Sequence, residues 1–193
     1  MDYEKLINLF NQYGEITRVE EQIIKIYFTP LKVKKKQILV ERSTPCNELF
    51  FLNSGILRSF YINKNGKEVT RMIAWENRFL TNIVSFRNFD ANNETIECIM
   101  DADILSVKKK DFEKILSINM NLKSIYTDIL EIYTALNIQR FEALNTYDLS
   151  EKFLHLKEHF PHHLIKLLND NILASLMGIS REYLVKNKHF LYV

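Results

Sequence analysis

Residues 48–75 read ELFFLNSGILRSFYINKNGKEVTRMIAW. Ser54-Gly55 separates an apolar run, Glu48 to Asn53, from a second run, Ile56 to Ile62. Asn63-Lys64-Asn65-Gly66 then separates that run from Glu68 to Trp75. Glycine and asparagine tolerate the backbone angles that tight hairpins demand, so the pattern predicts strands joined by short turns. The same texture continues outward. Upstream, Lys32 to Lys34 and Gln37 to Val40 are short and rich in β-branched residues, and Glu41 to Pro45 reads as a turn. Downstream, Thr95 to Met100 and Asp103 to Val107 form a last pair around Asp101-Ala102. Short strands at this spacing predict an antiparallel sandwich or barrel.

Helical periodicity flanks this region. Tyr3 to Tyr13 carries Leu6, Ile7, Leu9 and Phe10 on one broad face. Val19 to Phe28 follows, with Thr17 as its N-cap and Glu20 and Glu21 in its first turn. After Lys108 come a short helix, Asp111 to Ser117, and a long one from Asn121 to about Leu144. Leu122, Ile125, Ile129, Ile132 and Leu136 repeat along the long helix at alternating three- and four-residue steps. Such a seam predicts self-association through a coiled coil. The other reading is a helix packed on its own β-domain, whose stripe is usually wider; Tyr126, Leu130 and Tyr133 widen this one. Leu149 to Leu168 reads as helix broken at Pro161. The stretch Trp75 to Phe89 holds Trp75, Phe79, Phe86 and Phe89, read as core filling, with an apolar small-molecule effector as the alternative.

A chain of 193 residues that is 47% hydrophobic is large enough and apolar enough to fold. Its net charge of +2 is near neutral, so a nucleic-acid reading must rest on a local site. Cys46 and Cys98 stand alone, which fits free thiols in a reducing compartment. The N-terminus MDYEKLINLFNQYGE does not read as a signal peptide, and no apolar run approaches a membrane span. The expectation is a cytoplasmic protein without a membrane partner.

The segment 169–190 reads NDNILASLMGISREYLVKNKHF. Asn169 to Asn171 offer N-caps, Gly178 can end a helix in the left-handed conformation, and Ser180 can cap the next. Two helices crossing steeply need a small residue where they meet, and Ala174 supplies it. Ile179 and Leu184 would pin the second helix on the first. The second helix of such a pair can enter the major groove. There Arg181 and Lys186 could donate to guanine and Glu182 could accept from cytosine, with Lys188 and His189 at phosphates. Taken alone, the pattern fits an ordinary αα-hairpin equally well.

The order of elements lifts the balance. Short helices, a β-rich domain, a long helix and a terminal helix pair together resemble the Crp/Fnr family of transcription regulators over nearly the whole chain. Residues 52–61 (LNSGILRSFY) with Asn65 to Glu68 look like that family's β-roll signature, and residues 172–182 (ILASLMGISRE) look like its helix-turn-helix. The resemblance implies an α+β fold: an N-terminal antiparallel β-roll, which is jelly-roll-like, with flanking helices (1–118), a long dimerisation helix (119–147) and an all-α helix-turn-helix domain (148–193). It implies double-stranded DNA and a second copy of the chain as partners, with RNA polymerase a further candidate. Ser180, Arg181, Glu182, Lys186 and Lys188 fall at the DNA-contacting end. Lys186 keeps the charge of the family's arginine but not its bidentate fork. Asn187 stands where the family has an apolar residue, so the second helix should end early or sit loosely.

Cyclic-nucleotide-binding members carry Gly-Glu before a short helix and Arg-Ser/Thr a few residues on. Here Thr81 and Asn82 align with the first pair and Asn92 and Asn93 with the second. A cyclic phosphate would lose its neutralising arginine and its ribose its glutamate, so tight binding of cAMP or cGMP is not expected. Arg87 reads as a solvated loop residue, and Lys108 to Lys110 as a solvated junction. His155 and His159 share a helical face near His162 and His163, yet lack the companions of a zinc site. Two cysteines are too few for an iron-sulfur cluster. No metal, cofactor or catalytic residue is expected. The alternative function is a small-molecule-binding sensor whose helix pair serves only protein contacts.

Overall fold

The computed structural model describes residues 3–191. Two four-stranded antiparallel sheets lie face to face. One runs β1 (Thr29–Val33), β8 (Ala102–Lys108), β3 (Glu48–Leu52), β6 (Phe79–Leu80). The other runs β2 (Ile38–Val40), β7 (Glu94–Met100), β4 (Ile56–Ile62), β5 (Glu68–Ala74), which leaves β5 at an edge. The turns follow from local chemistry. Gly55 has φ of +87°, and a Cβ there would lie 2.5 Å from Ala102 Cα. The β4–β5 hairpin is closed by Asn63, whose Oδ1 accepts from the N–H groups of Asn65 and Lys67.

The unbroken apolar run of β3 has a simple cause. Successive side chains point to opposite faces, and both faces of β3 are covered. Phe50 and Leu52 join Leu57, Ile96 and Ile104 between the sheets. Leu49 and Phe51 join Leu105 and Val107 on the outer face. That outer face is covered by α1 (Glu4–Phe10), α2 (Arg18–Tyr27), α4 (Lys109–Ile118) and the first half of α5 (Met120–Thr146). A capping box between Thr17 and Glu20 starts α2, and Asn121 of α5 donates to Glu20 at 3.0 Å.

A second core begins where α5 ends. It gathers α6 (Leu149–His159), α7 (His162–Leu167), α8 (Asp170–Met177) and α9 (Arg181–Lys186), with Ile56 and Ile73 from the second sheet. Among the described residues no helix is long and apolar enough to cross a membrane. Both cysteines are buried free thiols.

Three expectations need correction. The seam of α5 is not one surface. Leu122, Ile125 and Ile129 are buried in this chain's own core, against Phe10, Ile24 and Phe112. Beyond them Ile132 is 40% exposed and Leu136 half-buried. Of the five seam residues only these two remain uncovered, because the first half of the helix already has a partner in the β-domain. Secondly, the interval between Trp75 and Thr95, to which the sequence pattern assigns no element, contains β6 and the short helix α3 (Ile83–Asn88). Thirdly, Phe79 and Phe86 fill the core as expected, whereas Phe89 is 53% exposed with φ of +60° at the C-cap of α3.

Candidate nucleic-acid interface and ligand pocket

The terminal helix pair is held by its caps. Asn169 Oδ1 accepts from Ile172 N–H at 3.0 Å to start α8. Gly178, at φ of +66°, ends it, and Ile179 N–H returns to Ala174 O at 3.0 Å. A Cβ on Gly178 would meet Leu144 of α5 at 2.9 Å, so the turn also marks a close approach to the long helix. Ser180 Oγ accepts from Tyr183 N–H at 3.1 Å to start α9. Leu184 is fully buried and Ala174 nearly so, as the crossing of two helices requires.

Arg181, Glu182 and Lys186 are exposed on α9. The Glu182 carboxyl is held below its usual range by its own backbone amide, by the Ser180 hydroxyl and by the charges of Arg181 and Lys67, against a small cost of burial. Lys188, expected at phosphates, lies beyond α9 in a 3-10 turn, Lys188–Leu191. Its ammonium meets Asp170 Oδ1 at 2.6 Å, so it braces the start of α8. Asn187 caps α9 and donates from Nδ2 to Tyr183 O at 2.9 Å. The helix thus ends at Lys186.

The four residues aligned with the cyclic-nucleotide cassette are not brought together around a space. Thr81 donates to Glu48 O at 2.8 Å. Asn82 is buried and caps α3 by accepting from Ser85 N–H at 3.0 Å. Asn92 is buried, donates to Glu41 O and Thr44 O, and accepts from Glu94 N–H at 2.7 Å. Asn93 is exposed. The side chains of Asn82 and Asn92 are therefore spent on the backbone.

An apolar cavity of about 160 Å³ lies between β5, β6 and helices α2, α4 and α5. Phe10, Phe28, Phe79, Phe112 and Tyr126 line it, and of the four cassette positions only Thr81 reaches it. Arg71 is its one charged lining residue among the described residues. The Arg71 Nε lies 2.5 Å from Glu94 Oε1, and its Nη2 donates to Thr81 O at 3.1 Å.

Two residues that the sequence reading passes over tie the β-domain to the terminal helices. Ser175 Oγ accepts from Thr70 N–H of β5 at 2.7 Å. Arg140 of α5 donates to Arg71 O, to Thr70 O at 3.1 Å and to Leu176 O at 3.2 Å. Burial first, and then the charge of Arg71, push the Arg140 guanidinium down to about 10. The signal for Arg140 is in the sequence: it is a charge seven residues after Tyr133, on the apolar side of α5. The rings of His155 and His159 lie 4.0 Å apart between centroids, tilted by 36°. Burial, and then the charges of His159 and Arg140, hold His155 below its usual range despite Glu158. Among the described residues no group of three or more His, Cys, Asp or Glu is arranged to hold a metal.

Residues 30–119 match the family model of the cyclic nucleotide-binding domain. The fold is shared with solved regulators along most of the chain. A protein from Eubacterium rectale assigned as a transcriptional regulator of the Crp/Fnr family superposes with a TM-score of 0.72 at 16% identity, covering 96% of this chain and 88% of that one. FixK2 from Bradyrhizobium japonicum gives 0.68 at 12% identity, covering 86% and 84%. The c-di-GMP responsive global regulator CLP of Xanthomonas campestris gives 0.66 at 14% identity, covering 88% and 90%. Comparison with curated proteins gives no match.

Proposed function

We propose that the protein is a homodimeric, DNA-binding transcription regulator of the Crp/Fnr type that does not respond to cyclic nucleotides. In this reading residues 1–118 are a sensor domain, 119–147 the dimerisation helix and 148–193 a helix-turn-helix domain acting in the cytoplasm. One observation carries it: Arg181, Glu182 and Lys186 stand exposed together on a helix capped by Ser180 and anchored by Leu184. Arg181 and Lys186 carry the donors that guanine edges accept, and ionised Glu182 is an acceptor for cytosine N4. The shared fold with solved regulators supports the same reading. Asn82 and Asn92, both committed to backbone groups, support the loss of cyclic-nucleotide chemistry. Calorimetry should detect no binding of cAMP at micromolar concentration; micromolar affinity would refute that part.

The test of DNA reading is selection of bound sequences from random duplexes, followed by gel shift with the Arg181→Ala/Lys186→Ala double variant. Shifted bands should disappear, and unchanged bands would sink the assignment. Binding should also weaken steeply with salt, since phosphate contacts release counterions. A second reading has its own support in the docking of α8 on β5 through Ser175 and Arg140. There the helix pair is a protein-contact element of a small-molecule sensor. Absence of duplex binding at low salt would favour it.

A further inference from the structure

Beside the apolar cavity, at the junction of β5, α5, α6 and α8, lies a second space of about 80 Å³. Arg71, Arg78, Arg140, His155 and His159 line it, and among the described residues no acidic side chain does. Of the three arginines, only Arg71 has a carboxylate in ion-pair range among the described residues, that of Glu94. Arg78 lies 4.0 Å above the ring of Trp75. The acceptors of Arg140 are the backbone carbonyls of residues 70, 71 and 176, and its Nε is buried without a hydrogen-bond partner. A buried cation without a counter-charge is costly, and an anion entering its surroundings offsets that cost. The two spaces share a wall made of Arg71, Met72, Phe79, Tyr133 and Asn137. One side of this wall is basic and the other apolar and aromatic.

We propose that the two spaces form one binding site for an amphiphilic organic acid, with its carboxylate among Arg140, Arg78 and Arg71 and its apolar body in the cavity of α2, α4 and α5. A cyclic nucleotide is the wrong shape of polarity for it, because a ribose would meet Phe10, Phe79 and Phe112. Inorganic anions satisfy only the basic side. The site does not depend on the DNA-reading assignment, and its test contains no DNA.

The experiment is calorimetric titration of the full chain with octanoate, 1-octanol, acetate and inorganic phosphate. Octanoate should bind about tenfold or more tighter than each of the others, since a charged hydrogen bond and apolar burial both contribute. Arg140→Gln should lose that advantage. Arg78→Gln, at a side chain that makes no bridge to the terminal helices, should weaken octanoate several-fold with an unchanged unfolding midpoint. Absence of octanoate binding at millimolar concentration overturns the proposal, as does equal binding of 1-octanol. Equal binding of acetate or phosphate reduces the site to a small-ion site and also overturns it. Should Arg140→Gln fail to fold, the octanoate-to-octanol ratio and Arg78→Gln decide; parent-like binding by Arg78→Gln overturns the carboxylate's placement.

Discussion

The two halves of α5 serve different ends, and its apolar seam, Leu122 to Leu136, lies mostly in the first. Leu122, Ile125 and Ile129 close the core of the β-domain, braced by the bond between Asn121 and Glu20. After Tyr133 the helix leaves that core. Ile138 and Phe141 are then 58% and 68% exposed, while Arg140 on the opposite side ties β5 to α8. A periodic stripe therefore specifies that a helix face is covered, not which surface covers it. Here the covering partner changes midway, and the exposed second half is the part open to a second copy of the chain.

The largest expected effect breaks the buried half. Ile125→Ala should cost about 3 kcal/mol, the usual range for emptying a core isoleucine, read as a lower denaturant midpoint at unchanged slope. Phe141→Glu on the other half should leave monomer unfolding within about 0.5 kcal/mol, as for exposed sites. It should weaken dimerisation about tenfold or more in sedimentation, because a charge would be buried without a partner. An unchanged monomer–dimer balance would remove the second half from the interface.

Acid should separate the halves further. His155 lies below its usual value in the folded chain, so its contribution is complete above about pH 6.5 and fades as pH falls through its lower folded value. Glu20 follows the same sign lower down. Burial raises its carboxyl, but the bonds from Thr17 and Asn121 outweigh that and leave it depressed. Its contribution is complete above about pH 4.5 and fades below. Hydrogen exchange on stepwise acidification should therefore loosen 149–177 before 4–28, and His155→Gln should abolish that order. The smallest effect is local: Thr17→Ala should cost about 1 kcal/mol, the ordinary value of an N-cap.

Much of the fold was legible because turns and caps are written in a few adjacent residues. Ser54-Gly55, Asn63 to Gly66, Thr17, Gly178 and Ser180 act within a few positions, so their outcomes follow from local chemistry. β6 and α3 were not legible: two strand residues and six helical ones are too short to show a period, and they are held by pairing with β3 and by Phe79, Leu80 and Phe86 in cores built elsewhere. The pairing of Lys188 was not legible for a related reason, since its Asp170 partner lies 18 residues away in another helix. Arg140 announced itself by interrupting an apolar face. What it binds depends on three carbonyls brought together only by tertiary structure.

The edge position of β5 has one more consequence. An uncovered edge strand offers free N–H and C=O groups to any passing chain and so invites aggregation. Ser175 and Arg140 occupy Thr70 N–H and the carbonyls of residues 70 and 71, which closes part of that edge. Helices α8 and α5 thus cover backbone groups that would otherwise be open to another strand. A chain deprived of α8 should be sticky even where its β-domain remains folded.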